Sequence, residues 1–317
     1  MKKLGTFILV AFLAVVGIKV YGSFSRSIWD GKSRLNLVLA NEKVSIFSLD
    51  PLERTAVFLS IPPQTFIDVI HGYDLYRVET IYKLGQLENH KGGELLAESL
   101  QENLGIPIDA YASISNFKFQ ISNFKAYILE CFKFLLGNGQ TNLTKWDLLR
   151  LWWETRRVRQ DKIAVVDLQE EAVLKEIVFA DGSKGFEIEK EKMEKIAQKI
   201  FKDQKLRQED LPIAILNSTS HSGLAERGAR IIKNIGGRVV QIGNTENSKL
   251  PALPAGRQNS NSKCEVRSKK THQKSYTVKK LVKIFNCRWG GEDLADYRAE
   301  VVLILAEDYW KKLEEKW

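Results

Sequence analysis

Apolar positions follow two rhythms along this chain. Leu35–Leu39, Lys43–Leu49 and Thr55–Ile61 are short aliphatic runs bounded by turn formers. Asp50-Pro51-Leu52-Glu53-Arg54 separates the second from the third, and Pro62-Pro63 stops the third. Runs of that length, bounded that way, predict strands. The same reading predicts strands at Ile108–Ile114, Lys162–Leu168, Ile213–Leu216, Arg238–Ile242, Cys264–Arg267 and Val301–Leu305. A slower rhythm marks helices. Gly92–Leu104 puts Leu95, Leu96, Leu100 and Leu104 on one side and is stopped by Gly105 and Pro107. Lys145–Thr155 follows a Thr144 cap, and Trp146, Leu149, Trp152 and Trp153 are predicted as its apolar face. Glu189–Phe201, Leu224–Ile235 and Thr277–Phe285 are predicted helices. Phe117–Leu136, apolar and aromatic with mixed periodicity, is also read as helix.

The order strand-helix-strand, polar linker, strand-helix-strand argues an α/β fold in two parts, residues 34–203 and 204–317. Asn244–Ser262, rich in Asn, Ser, Pro and Gly, predicts a disordered insertion in the second part. At the front, Lys2-Lys3 precedes an apolar run from Leu4 to Ile18. That pattern predicts a transmembrane anchor over residues 1–22 with its N-terminus inside the cell, followed by a polar stalk over 23–33. No A-x-A site follows the run, which favours an uncleaved anchor over a cleaved signal. The expected localisation is the cell membrane, with the rest of the chain outside the cytoplasm.

Charge sharpens the second part. The chain carries 48 Lys and Arg against 39 Asp and Glu, a net +9. Between Lys249 and Arg288 there are eleven Lys or Arg and one acid, Glu265, so the remainder is close to neutral. A basic surface suits nucleic acid, anionic lipid or anionic polymer. No helix-turn-helix is present, and an exported chain does not meet DNA, so nucleic acid is not an expected partner. Membrane and anionic wall polymer or peptidoglycan are. Lys269, Lys270 and Lys274 are the candidate polymer-binding residues of this stretch. Of three cysteines, Cys264 and Cys287 have two readings: a disulfide if the segment is exported, or small buried hydrophobes. There is no C-x-x-C pair, P-loop or G-x-G-x-x-G, so no metal and no cofactor is expected. His221 stands among Ser218, Ser220 and Ser222 without a G-x-S-x-G elbow and is read as part of a structural loop. Asp161 and Asp167 are read as turn and strand-end residues.

Ile213-Ala214-Ile215-Leu216-Asn217-Ser218-Thr219 and Ser222-Gly223-Leu224-Ala225 are similar to the V-x-V-L-N-G-T and S-G-L-A of the C-terminal domain attached to the LytR-CpsA-Psr family of cell-envelope proteins. Gly236-Gly237-Arg238-Val239-Val240 and Ala299–Tyr309 extend that likeness to about residues 210–310. Further forward, Arg34–Leu39, Ser48-Leu49-Asp50-Pro51, Ser60–Thr65 and Leu104–Tyr111 resemble an eroded form of the family's catalytic domain. The resemblance implies phosphoryl transfer of a lipid-linked glycopolymer to peptidoglycan, with arginines on the pyrophosphate and acids on a divalent cation. The family's S-I-P-R-D-T reads Ser60-Ile61-Pro62-Pro63-Gln64-Thr65 here. Its D-x-R-S-D-T segment is missing, because Ala40–Lys43 joins the first two strands directly. The Asn of its K-I-N-x-x-Y is Glu79. Arg34 and Arg77 are what a residual phosphate site would retain.

The expected fold is therefore α/β, with an N-terminal transmembrane helix, a degenerate domain of this family and a small C-terminal α/β domain. The expected function is non-catalytic binding or scaffolding in cell-wall glycopolymer attachment. An active phosphotransferase and a membrane-bound regulator of transcription are the alternatives.

Overall fold

Leu35–Ala40 (β1) and Ser45–Asp50 (β2) are buried at every position, so the sheet they begin is covered on both faces. In the computed structural model of the protein it has six strands. The structure describes residues 22, 24–40, 43–88, 91–113, 137, 139–245, 263–292, 294 and 298–315. β2 pairs antiparallel with β1 and with Thr55–Ser60 (β3). Ala110–Ser113 (β6) lies parallel to β1, and Ile163–Asp167 (β8) parallel to β3. Gln140–Thr141 (β7) closes the β6 edge. Alternate residues feed opposite faces. Val38, Ile46 and Leu59 pack with Val78–Leu87 (α1) and Gly92–Leu104 (α2). Leu37, Phe47 and Phe58 pack with Lys145–Arg156 (α3).

A second sheet runs in the order Leu75–Arg77 (β5), Thr65–Asp68 (β4), Lys184–Ile188 (β10), Leu174–Val178 (β9). The third has the order Val239–Asn244 (β12), Ile213–Asn217 (β11), Val301–Leu305 (β15), Glu265–Ser268 (β13), Arg288–Gly291 (β14). β11 and β15 are central, parallel and wholly buried. Lys190–Ile200 (α4), Gln204–Glu209 (α5), Leu224–Asn234 (α6), Tyr276–Phe285 (α7) and Glu307–Glu314 (α8) accompany them. One hydrophobic cluster runs from Val38 and Leu95 through Met193 and Phe201 to Ile215, Leu281 and Leu305. The first and third sheets thus share a continuous core.

Polar groups lock this junction. The buried Asp109 carboxylate accepts from Asn36 N at 3.0 Å and from Lys283 Nζ at 2.8 Å, and Lys280 Nζ lies 3.4 Å away. Burial raises the Asp109 pKa, but the two lysines outweigh it and hold the carboxyl down at about 2. Glu209 receives Tyr276 N and Thr277 N, each at 2.7 Å, at the start of α7, where a carboxylate suits the helix dipole.

The fold departs from expectation in three ways. Among the described residues no helix is long and apolar enough to cross a membrane, so the fold is mixed α/β without the expected transmembrane helix. Residues 1–21 of the expected anchor lie outside the described residues, as do the helix expected over 117–136 and most of the insertion expected over 244–262. Asn244 itself ends β12. The inward face of α3 is not the tryptophan face: Leu148, Leu151 and Thr155 are buried, whereas Leu149 is 42% and Trp153 52% exposed. Finally, β4, β5, β7, β9, β10, β14, α1, α5 and α8 were not predicted. The strands and α5 are short, and too few of their positions repeat for a period to show. The cysteine ambiguity resolves: Cys264 and Cys287 form a disulfide between the start of β13 and the turn after α7.

Candidate functional site

α6 turns Leu224, Ala225, Gly228, Ala229, Ile231 and Ile232 inward, which leaves Glu226, Arg227, Arg230 and Lys233 on the opposite side. That side forms one wall of a cleft of about 890 Å³. Asp68, Asp74 and Leu75, from β4, β5 and the turn between them, form the facing wall. Lys190, Glu194 and Gln198 of α4 line it too, and Val69, Ile70 and Ala229 supply apolar surface.

The walls are fixed by hydrogen bonds. Asn103 Nδ2 donates to Asp68 O at 2.7 Å and Ser99 O at 2.8 Å, which pins the end of β4 to α2. His71 and Gly72 both adopt left-handed φ, at 66° and 65°. Their amides donate to Leu313 O, which ties this turn to α8. At Gly105 the φ is 64°, and an added Cβ would meet Asn234 Nδ2 at 2.8 Å. The ends of α2 and α6 can approach this closely only with glycine there. Asn234 Nδ2 donates to Gly105 O at 2.9 Å, and the Arg230 guanidinium donates to Glu102 O. Burial lowers the Arg230 pKa, while Glu102 and Glu194 act the other way. Tyr309 donates to Glu102 Oε1 at 2.7 Å, and burial raises its phenol well above the usual range.

Asp68, Asp74, Glu194, Glu226, Lys190 and Lys233 line the cleft and enter no ion pair among the described residues. The cleft therefore offers charges of both signs across its walls. Counting every lining side chain, acids outnumber cations by six to four. It suits a ligand that carries both amine and carboxylate groups better than a plain polyanion.

The candidate residues of the sequence lie elsewhere. Arg34 is buried: Nε donates to Lys202 O at 2.8 Å, and the two terminal nitrogens reach Ser48 Oγ at 2.8 Å and Asp50 Oδ2 at 3.2 Å. Burial lowers its pKa and Asp50 opposes that. Arg77 ends β5 with its guanidinium 5.6 Å from the Phe66 ring centre. Pro63 and Gln64 fill the bend between β3 and β4, where Gln64 O accepts from Phe186 N at 3.1 Å. Lys269, Lys270 and Lys274 fall together on the exposed segment between β13 and α7. Lys269 is paired with Glu300 at 2.9 Å. His221 stacks on Trp310, ring centres 3.8 Å apart, with Nε2 3.4 Å from Glu307. Its loop closes through Asn217, which donates to His221 O at 2.6 Å. Among the described residues no group of three or more His, Cys, Asp or Glu has the spacing to hold a metal ion. The cleft was not predicted, although Arg227, Arg230 and Lys233 stand three residues apart and mark one helix face.

No protein-family model matches the chain, and no curated protein matches it. Solved structures do. The Lin1025 protein from Listeria innocua is 12% identical, with 52% of this chain and 95% of that chain covered and a TM-score of 0.40. TagV from B. subtilis is also 12% identical, with 53% and 95% covered and a TM-score of 0.40. TagT, in a structure described as TagT bound to LIIa-WTA, is 15% identical, with 53% and 90% covered and a TM-score of 0.39. These neighbours are proteins of the LytR-CpsA-Psr fold. A likeness of this size carries no argument about what this chain does.

Proposed function

We propose that the protein is a non-catalytic binding component of the bacterial cell envelope. It holds a peptidoglycan-type ligand, carrying amine and carboxylate groups, in the cleft between β4–β5 and α6. The observation that carries this reading is the pair of oppositely charged walls whose Asp68, Asp74, Glu194 and Lys233 enter no ion pair among the described residues. Two further features support it. The Cys264–Cys287 disulfide favours an oxidising compartment outside the cytoplasm. The family's Arg-Asp position is Pro63-Gln64, and Arg34 is consumed by Ser48, Asp50 and Lys202 rather than offered to a phosphate. Losing even one donor to a developing anion costs about 10²–10³ in rate.

The test is calorimetry of the full chain against soluble peptidoglycan fragments and against a lipid-linked pyrophosphate. Saturable fragment binding is expected, weakened about tenfold by Lys233→Glu and by added salt. Turnover of the lipid-linked pyrophosphate, lost in Arg77→Ala, would overturn the non-catalytic reading.

A further inference from the structure

α3 carries a stripe of large side chains that the core does not use. Trp146, Leu149, Arg150, Trp153 and Arg157 recur at helical spacing along its outer side. Trp153 is 52% and Leu149 42% exposed. Phe24, 53% exposed, extends the stripe: its ring meets Trp146 edge-on with centres 6.0 Å apart. Arginines lie over the rings. Arg150 is 5.5 Å from Phe24 and 5.2 Å from Trp146, Arg156 is 4.7 Å from Trp152, and Arg157 is 5.4 Å from Trp153. Burying Leu148 and Leu151 already satisfies the helix's contact with the first sheet. The stripe therefore presents an apolar band edged with positive charge to its surroundings.

We infer that the outer face of α3 and Phe24 form a docking surface for an anionic lipid interface. Two observations commit the surface to that occupant. Tryptophan and arginine side by side are the residues that sit at a bilayer interface, the ring at headgroup level and the guanidinium reaching lipid phosphate. The charge has the matching sign: from Lys145 to Lys162 there are six cations and three acids, and one of those acids, Asp147, is buried inward. Glu154 and Asp161 are taken up by Arg157 and Arg159. This surface is separate from the cleft, and the inference does not depend on what the cleft binds.

Tryptophan quenching by brominated lipid reads the stripe directly. The full chain is added to vesicles of brominated phosphatidylcholine with and without phosphatidylglycerol. Quenching is expected on the anionic vesicles and is reduced by Trp153→Phe more than by Trp289→Phe, since Trp289 lies on β14 of the third sheet. Arg156→Glu with Arg157→Glu is expected to weaken binding to anionic vesicles by roughly tenfold or more. Trp153→Phe keeps the test informative if the double reversal does not fold. If vesicle-bound protein leaves Trp153 as open to iodide as in solution, or if Trp153→Phe leaves lipid quenching unchanged, the lipid assignment is wrong. In that case the stripe serves a protein partner.

Discussion

Asp109 is the residue on which the junction turns. Its carboxylate is buried between β1 and α7 and meets two lysines. Its folded pKa of about 2 lies below its ordinary 3.8, so it adds stability above that ordinary value. The contribution is lost as pH falls from about 4 through about 2. The difference corresponds to about 2 kcal/mol. Asp109→Asn is expected to cost roughly 3 kcal/mol at pH 7, because the buried Lys280 then keeps only the longer contact to Asp203, at 4.0 Å. It should also flatten the acid limb between about pH 4 and about 2. Urea unfolding across pH checks both. An unchanged acid limb in the variant would show that other groups govern it. At this scale the sequence was partly legible. Leu104–Tyr111 stood out as a motif, yet its Asp finds its partners some 170 residues away, at Lys280 and Lys283. No local pattern encodes such a pair.

At the scale of elements, α3 shows what periodicity reveals and what it leaves open. Thr144 caps it as predicted, in a reciprocal box with Asp147. Asp147 does more than the box requires: it accepts from Ser27 Oγ at 2.5 Å and from Ile28 N and Trp29 N, each at 3.2 Å. Asp147→Ala strands those buried amides and the Thr144 cap, and is expected to cost about 2–4 kcal/mol. Thermal unfolding reads the loss, and Thr144→Ala alone should cost nearer 1 kcal/mol. Equal losses would mean that the Ser27–Trp29 contacts add nothing. The tryptophans were expected inward because hydrophobic content outweighed geometry in that reading. Leu148 and Leu151, which pack on the sheet, sit on the opposite side of the same turns. α8 carried a readable signal that went unused: Tyr309 and Leu313 four apart, acids in the first turn, lysines in the last. β4 and β5, four and three residues long, give no period to read.

Across the whole molecule, the first and third sheets were legible in outline because their central strands are continuous apolar runs, whereas no strand of the second sheet was predicted. What was not legible is how the parts meet. The cleft exists because the β4–β5 turn, α2, α4 and α6 converge, and those segments are distant in sequence. The disulfide belongs to the same scale. It links residues 23 apart and holds β13 beside the end of α7. Cys264→Ser with Cys287→Ser is expected to destabilise by about 3 kcal/mol, chiefly by releasing the unfolded chain. Thermal unfolding under oxidising and reducing conditions measures it. A reductant-insensitive wild-type transition would show that the bridge does not form in solution.

Lysine footprinting tests the central claim, that the cleft is the binding site, most directly. The full chain is acylated with and without a soluble peptidoglycan fragment, and each lysine is read by mass spectrometry. Lys190 and Lys233 line the cleft, whereas Lys270 and Lys274 lie on the exposed segment ahead of α7. Ligand is expected to protect Lys190 and Lys233 and leave Lys270 and Lys274 reactive. Protection of Lys270 and Lys274 with Lys190 and Lys233 unchanged would contradict the account and move binding to the basic segment.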